Sequence, residues 1–188
     1  MVRALVRLIK RRIRRFSQLN HLISHDFLTS LLNRKAFLYR AEQELMRARR
    51  YHEPVVCAML DLDCFKQIND VHGHAMGDKV LIRLSRLLEE NLRRSDIIAR
   101  MGGDEFCLLL PCTNAKNLDS KFDTMQLAFK KIVFHSNGTD FTTSFCCGLA
   151  EFPENNMLLS LLQSADNALG AAKSTGRHRV IMPGSPKR

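Results

Sequence analysis

The sequence predicts an α+β fold, an α/β sandwich in which a mixed central β-sheet is flanked by helices. Some segments carry apolar residues at helical spacing, whereas others are short continuous apolar runs of the kind that form buried strands. The two kinds of segment alternate along the chain, which favours helices packed on a sheet. Two apolar runs are separated only by Gly102, Gly103 and Asp104, so this pair of strands is antiparallel and the sheet is mixed.

Residues 1–25 predict a basic amphipathic helix. Apolar residues recur there in alternating steps of four and three, with one polar member. This heptad pattern is typical of a coiled coil, in which a buried Asn can fix the register, and we interpret the segment as a stalk that pairs two copies. The alternative is a helix lying on the body of the protein or on anionic lipid. The seam consists of Val2, Val6, Ile9, Ile13, Phe16, Asn20 and Ile23.

The remaining elements follow from their local patterns. Segments whose apolar residues recur every three or four positions are expected to be helices, with Phe37, Ala41 and Leu45 forming one face of the first. Uninterrupted apolar runs bounded by turn residues are expected to be strands. In chain order the prediction is a helix over 33–51, a strand over 55–60, a helix over 77–94, strands over 96–101 and 105–110, a helix over 118–133, a strand over 141–150, a helix over 157–174 and a strand over 178–182.

The composition indicates one folded domain and argues against a nucleic-acid-binding protein. The chain has 188 residues, of which 45% are hydrophobic, enough to bury a core. Its formal charge is +10, but seven basic residues and no acid fall within residues 1–25, and the rest holds 22 basic and 19 acidic residues. With two tyrosines and no tryptophan, that nearly neutral remainder lacks the basic and aromatic surface of nucleic-acid-binding domains.

The cysteines and the hydropathy predict a cytoplasmic protein. The six cysteines form no CxxC pair and mostly lie in apolar runs, which is typical of buried, reduced thiols. No apolar run approaches the length of a membrane span. The basic N-terminus leaves open an attachment to the inner face of the cell membrane or to a sensor domain. The cysteines are Cys57, Cys64, Cys107, Cys112, Cys146 and Cys147.

Four carboxylates fall at predicted strand ends, where a sheet often carries its functional groups. Asp61 and Asp63 follow the strand over 55–60, and Asp104 and Glu105 lie in the hairpin turn. Carboxylates held close together in partly buried positions repel one another. We therefore expect a hard divalent cation there, Mg²⁺ by preference with Mn²⁺ as the alternative.

Basic residues near these acids suggest what the cation holds. Magnesium takes few protein ligands and often fills its shell with phosphate oxygens. Lys66 and Asn69 lie beside the first acidic pair, and Lys173 and Arg177, four residues apart, can reach one phosphate chain. The glycines of the hairpin let a ligand approach the backbone. The residues thus predict a metal-dependent nucleotide site. For each basic side chain considered alone, the alternative is an ordinary surface charge.

Four sequence blocks resemble the GGDEF family, the diguanylate cyclases. They are "HDFLTSLLNRKAF", "DLDCFKQINDVHGHAMGDKVL", "GGDEF" and "ADNALGAAKSTGRHRV", and they occur in the family's order across residues 26–182. The resemblance implies a sheet related to the palm of polymerases and to nucleotide cyclases. It also implies condensation of two GTP into cyclic di-GMP with release of two pyrophosphates. The domain would span residues 26–183, followed by a flexible tail at 184–188.

The resemblance further implies a role for each acidic residue. Asp61 and Asp104 would bind Mg²⁺ together with the backbone carbonyl of Leu62. Asp104 would also help to deprotonate the attacking 3′-hydroxyl. Glu105 would support the same site, and Phe106 would anchor the hairpin in the core.

Substrate contacts are implied at the base and at the phosphates. Asn69 and Asp78 would read the guanine edge, with His74 close by, and Asp78 favours GTP over ATP. Cations would meet the phosphates, Lys66 with a catalytic role, and the hairpin glycines would clear room for the nucleotide. These further residues are Lys66, Lys173, Arg177, Gly102 and Gly103.

A homodimer and a product site are implied as well. One copy would hold one GTP, so the reaction needs two copies, and the stalk would set their geometry. Arg93 and Asp96, just before the hairpin, resemble the RxxD inhibitory site that binds the product cyclic di-GMP. The alternative for this pair is a helix end with a local ion pair. The alternative for the whole domain is a module that binds GTP or cyclic di-GMP and signals by contact without turnover.

Four positions depart from the family pattern. Ser30 and Cys146 stand where Gly and Ser are frequent, and Gly170 and His178 stand where an aromatic residue and Asn are usual. None of the four is an implied metal or phosphate contact. Within a helix, glycine at position 170 should lower the free energy of unfolding by about 1 kcal/mol relative to alanine. We also expect a hole at Gly170, where a ring would pack.

Overall fold

The computed structural model describes residues 23–114, 118–153, 157–174 and 180–181. Most of the predicted stalk, residues 1–22, lies outside the described residues. So do Arg177, His178 and the tail at 184–188.

The described residues form a six-stranded mixed sheet with helices on both faces, which confirms the predicted fold class. A separate two-stranded hairpin, β5 with β6, stands apart from this sheet. The elements are β1 Leu32–Asn33, α1 Arg34–Tyr51, β2 Val55–Leu62, α2 Phe65–His72, α3 His74–Asn91, β3 Ile97–Gly102, β4 Glu105–Pro111, α4 Leu118–Lys130, β5 Phe134–Ser136, β6 Thr139–Phe141, β7 Phe145–Glu151, α5 Leu158–Ser174 and β8 Val180–Ile181.

The strand order is β1-β3-β4-β2-β7-β8. The central strand β2 runs antiparallel to both β4 and β7, and β3 runs antiparallel to β4. The outer strands β1 and β8 join parallel to β3 and β7. The predicted hairpin of β3 and β4 is therefore confirmed, and it lies next to the central strand.

The sheet separates the helices into two layers, and each layer packs on it around its own hydrophobic core. Alternate residues of β2 point to opposite faces, so Ala58 and Leu60 pack with α3 and α4, whereas Val55 and Cys57 pack with α1 and α5. Phe106 is fully buried in the first core, where the hairpin was expected to be anchored. Within the described ranges, no helix is both long enough and apolar enough to cross a membrane.

Three elements were not predicted from the sequence. They are β1, α2 and the hairpin of β5 and β6. Gly73, with φ of 81°, ends α2 and starts α3, so the helix predicted from residue 77 begins at His74 instead. Asn137 and Gly138, with φ of 50° and 77°, turn the β5–β6 hairpin. The strand predicted over 141–150 therefore starts only at Phe145.

None of the six cysteines forms a disulfide, and they are not all buried. Cys57 and Cys107 lie 3.7 Å apart, sulfur to sulfur, inside the sheet. Burial and the contact with Cys57 raise the pKa of the Cys107 thiol well above its ordinary value. Cys64 and Cys112 are exposed. The expectation of buried thiols thus holds for the four cysteines within strands and is wrong for these two, which lie in turns.

Gly148 of β7 allows α5 to approach the sheet. A Cβ atom at this position would lie 2.1 Å from the backbone nitrogen of Leu169 and 2.3 Å from the carbonyl oxygen of Ala165. Gly170, on the same helix, is exposed, and a Cβ atom there would meet nothing within 4 Å. The expected hole at Gly170 is therefore wrong, because the position faces solvent rather than the core.

We expect Gly148→Ala to lower the free energy of unfolding by about 1–3 kcal/mol, because the obstructing atoms belong to a helix backbone that must shift. Gly170→Ala is the matched control and should raise it by about 1 kcal/mol through helix propensity alone. Denaturant unfolding of the two variants measures both. Equal stability of Gly148→Ala and the native protein would contradict the packing argument.

Candidate active site

The candidate site lies where β2 ends and the β3–β4 hairpin turns. Asp61 near the end of β2 is directly opposite Glu105 of β4 on one side and Cys146 of β7 on the other. The Nζ atom of Lys173, in the last turn of α5, lies 2.8 Å from Oδ2 of Asp61. The sheet register and one helix end thus bring together residues that are more than a hundred positions apart.

Asp104 in the hairpin turn experiences an excess of negative charge. Burial is the largest cause that raises its pKa above the ordinary value, and the charges of Asp61 and Glu105 add to it. Lys173 acts in the opposite direction without cancelling the shift. The ionised form of Asp104 is therefore unfavourable in the protein alone, and a bound cation would relieve it.

The donor atoms at this edge fit a hard divalent cation. Carboxylate oxygens of Asp61 and Asp104 are ligands that Mg²⁺ prefers, and Leu62 follows directly in β2. Nowhere in the described ranges do three or more His, Cys, Asp or Glu side chains group closely enough to hold a metal by themselves. Magnesium commonly takes only one or two carboxylates from a protein and fills its remaining positions with phosphate oxygens and water.

The carboxylate of Asp63 is bound by protein donors instead of contributing to a shared acidic site, so the expected convergence of four carboxylates is wrong. Asp63 is 7% exposed, and its carboxylate accepts hydrogen bonds from the Ser144 hydroxyl and, at 3.1 Å, from the Cys146 thiol. Its backbone N–H donates to the carbonyl oxygen of Ser144 at 2.9 Å. Asp63 thus ties β2 to β7, and Cys146 supplies a donor where the family frequently has Ser.

The hairpin turn depends on its two glycines for backbone conformation. Gly102 and Gly103 have φ of 147° and 54°, which side chains rarely adopt. A Cβ atom at either position would meet nothing within 4 Å, so steric space does not require glycine here. The open surroundings leave the turn accessible to a ligand, as the sequence suggested.

A hydrogen-bonded brace holds the carbonyl of Gly103. Arg100 donates to this oxygen from Nε at 2.9 Å and from Nη2 at 2.7 Å, and its Nη1 lies 3.1 Å from Oδ1 of Asp26. Thr29 donates to Asp26 through its backbone N–H and its hydroxyl. Burial would raise the pKa of Asp26, but the hydrogen bonds from Thr29 and Arg100 outweigh it and hold the pKa below its ordinary value.

Sequence reasoning missed this brace. Asp26 and Thr29 stand in the block "HDFLTSLLNRKAF", which indicates the family and assigns neither residue a role, and Arg100 lies within a predicted strand. Ser30 in the same turn has φ of 61°, which explains why glycine is frequent at this position. The N-terminal turn of the domain is thus a support for the hairpin.

Four of the residues expected to contact the nucleotide lie on α2 and α3, the two helices that follow β2 in the chain. Lys66 on α2 and His74 and Asp78 at the start of α3 are exposed, and Asn69 is partly buried where the two helices meet. Helix α2 starts directly after Cys64, which has a left-handed backbone with φ of 58°. The helix therefore begins three residues after the end of β2, and it carries Lys66 and Asn69.

An aromatic stack fixes the end of α2. The ring of His72 lies over Phe141 of β6, with centroids 4.2 Å apart and planes 11° apart. Phe141 stacks in turn on Phe134 of β5 at 5.4 Å, and Phe134 contacts the buried ring of Phe129 at 6.2 Å. The β5–β6 hairpin thus connects α2 to the hydrophobic core.

Arg93 and Asp96 lie in the turn between α3 and β3. The carboxylate of Asp96 accepts the backbone N–H of Arg93 at 2.7 Å, and the Arg93 side chain is exposed. Both residues line a cavity of about 270 Å³, together with His25, Arg40 and Arg94. They also line a second cavity of about 320 Å³, together with Thr113, Asn114 and Lys121.

Comparison with known proteins identifies relatives across nearly the whole chain. The family described as "Diguanylate cyclase, GGDEF domain" matches residues 23–179. Diguanylate cyclase DgcM of Escherichia coli strain K12 is 38% identical over 164 residues, which are 87% of this chain and 39% of that protein. Diguanylate cyclase DgcP of Pseudomonas aeruginosa is 39% identical over 155 residues, 82% of this chain and 23% of that protein. The chain thus spans two-fifths or less of the length of these curated relatives.

A solved structure agrees with the fold over both chains. It is the crystal structure of the coiled coil and GGDEF domain of DgcB from Caulobacter crescentus in complex with c-di-GMP. Its TM-score is 0.89 at 26% identity, and 96% of each chain is covered.

We expect Asp104→Asn to raise the melting temperature in metal-free buffer at about pH 7. The raised pKa means that ionised Asp104 lowers stability above its folded pKa, and this loss disappears as pH falls towards about 4, the ordinary range for Asp. Thermal unfolding from about pH 4 to 8 should show the gain at the upper end only.

Adding Mg²⁺ should then raise the melting temperature of the native protein by more than it raises that of Asp104→Asn. Glu42→Gln, which removes an exposed carboxylate from α1, is the control. Its melting temperature in metal-free buffer, and the increase that Mg²⁺ causes, should both equal those of the native protein. A lower melting temperature for Asp104→Asn at neutral pH would contradict this account of the site.

Proposed function

The chain belongs to the GGDEF family of diguanylate cyclases, and from that premise we propose that it condenses two GTP into cyclic di-GMP with release of two pyrophosphates. The observation that carries this proposal is the cluster of Asp61, Lys173 and Asp104 at the hairpin edge, where carboxylates and a cation converge beside an open turn. In each half-reaction the 3′-oxygen of one nucleotide forms a bond to the α-phosphorus of the other, and pyrophosphate leaves.

We assign Asp61, Asp104 and the carbonyl of Leu62 to hold Mg²⁺ or Mn²⁺, which supplies Lewis acidity to the phosphate oxygens when bound. Asp104 is also the candidate to accept the proton of the attacking hydroxyl, because it is a carboxylate in the open hairpin turn beside the assigned cation site. Glu105, opposite Asp61 in the sheet, adds negative charge to the same edge.

The phosphates are assigned to cations on two elements. Lys173 already lies at 2.8 Å from Asp61, so a phosphate chain placed beside Asp61 would meet its ammonium. Lys66 projects from α2, and Arg177 follows Lys173 by four residues. Negative charge that develops on the leaving pyrophosphate would be balanced by these groups. Gly102 and Gly103 leave the turn open on the nucleotide side.

We assign recognition of the guanine to Asn69 and Asp78, with His74 nearby. A carboxylate accepts from the N–H groups on the Watson–Crick edge of guanine, and an amide can both donate and accept there. Adenine presents a different pattern, so Asp78 favours GTP. The pairing of α2 with α3 supports this assignment because it brings the two side chains to one region.

A single copy offers one set of these groups, so we propose that two copies meet with their hairpin edges facing. The stalk predicted for residues 1–25 would hold them together and would connect to a membrane or to a sensor domain.

Cyclic di-GMP is then both product and regulator. We assign its inhibitory site to Arg93 and Asp96, because both residues line two cavities that also contain other cationic side chains.

Incubation of the purified protein with GTP and Mg²⁺ should yield cyclic di-GMP and pyrophosphate, resolved by chromatography. Asp104→Ala should lower the rate by at least about 100-fold, the usual loss on removing one electrostatic group at a reacting centre. Glu42→Ala on the exposed face of α1 should leave the rate unchanged. Product formed at the native rate by Asp104→Ala would refute the site, and no product from either would favour a binding module without turnover.

Added cyclic di-GMP should inhibit the native protein, and Arg93→Ala should raise the concentration for half-inhibition by at least about 10-fold, the loss expected for a charged hydrogen bond. Arg86→Ala is the matched control, an exposed arginine on α3 that lines neither cavity. An Arg93→Ala protein that is as sensitive as the native one would remove this turn as the inhibitory site.

A further inference from the structure

The contact between α2 and α3 is made at a glycine. Gly77 is buried in the first turn of α3, and a Cβ atom built on it would lie 2.0 Å from Oδ1 of Asn69 and 3.0 Å from its Cγ. The ring of Phe65 would be 3.2 Å away. The carboxamide of Asn69 therefore occupies the volume that any side chain at position 77 would need.

The backbone of Gly77 does not explain the glycine. Unlike Gly73, which has φ of 81°, Gly77 lies inside a helix, and its N–H donates to the carbonyl oxygen of Gly73 at 3.3 Å. Glycine within a helix lowers stability relative to alanine. The absence of a side chain at position 77 leaves the space that the Asn69 carboxamide occupies.

Asn69 is held from two sides by these glycines. Its carbonyl oxygen accepts the N–H of Gly73 at 2.9 Å, which fixes its backbone at the end of α2. Its side chain lies against Gly77, one residue before Asp78. The amide and the carboxylate that we assign to the guanine edge thus project from adjoining points of the helix pair.

We propose that Gly77 is a positioning residue for base recognition, which rests on the function proposed above. A methyl group at position 77 displaces the Asn69 carboxamide by more than 1 Å, because a nonbonded contact needs about 3.5 Å. The Asn69 side chain can rotate away at little cost to the fold, whereas the Phe65 ring need yield only slightly. The methyl group therefore disturbs recognition of the base rather than folding.

The test uses 3′-deoxy-GTP, which lacks the attacking hydroxyl and allows binding to be measured without turnover, and the matching analogues with adenine and with hypoxanthine. Gly77→Ala should weaken binding of 3′-deoxy-GTP by about 10-fold and reduce its preference over the other two analogues, the scale of one lost hydrogen bond. The melting temperature should stay equal to or above that of the native protein. Gly170→Ala, the same substitution at an open helix position, should leave binding unchanged.

Asn69→Ala separates positioning from a general effect on packing. In an Asn69→Ala background the additional Gly77→Ala change should weaken binding no further, because the displaced group is already absent. Additive losses, a clear fall in melting temperature, or unchanged base preference in Gly77→Ala would each overturn the inference. If the native protein does not distinguish the three analogues, the proposed function fails at its own premise, and this result differs from a native preference that Gly77→Ala retains.

Discussion

The repulsion between Asp61 and Asp104 is the constraint on which the rest of the site depends. The pairing of β2 with β4 fixes where Asp61 lies, and the tight turn of the hairpin fixes Asp104 beside it. Burial is the largest cause of the raised pKa of Asp104, and the charge of Asp61 raises it further. The surrounding structure supplies a lysine from α5, open space around the hairpin turn, and a brace that holds the turn in place.

The support for this constraint comes from distant parts of the chain. Arg100 connects the Gly103 carbonyl to Asp26 in the first turn of the described domain, so the position of the turn depends on where the chain enters the fold. On the opposite side, the stacked rings of His72 and Phe141 hold α2 against a hairpin that is itself packed on the core. Each set of candidate site residues is therefore supported by a contact with a residue about 70 positions away in the chain.

The sequence predicted the sheet, its hairpin and most helices because continuous apolar runs and helical spacing reflect burial directly. It failed at Asp63, since the letters cannot tell a carboxylate that faces solvent from one that accepts protein hydrogen bonds. The β5–β6 hairpin was missed although Asn137-Gly138 is a strong turn signal, because its strands are only three residues long. Helix α2 was missed for the same reason of length, and the brace between Asp26 and Arg100 joins residues 74 positions apart, which no local pattern can show.

The edge strand β1 has a consequence for how copies of the protein can associate. Asn33 ends the strand and caps α1, accepting the N–H of Ala36 at 3.0 Å, so the chain leaves the extended conformation after two residues. An exposed strand of ordinary length would invite another chain to continue the sheet, and so short an edge gives little for it to pair with. Association through a shared sheet, which leads to irreversible aggregation, is thereby disfavoured at this edge. Any contact between copies at this edge would therefore rest on side chains rather than on backbone hydrogen bonds, and side-chain contacts of that kind can separate again.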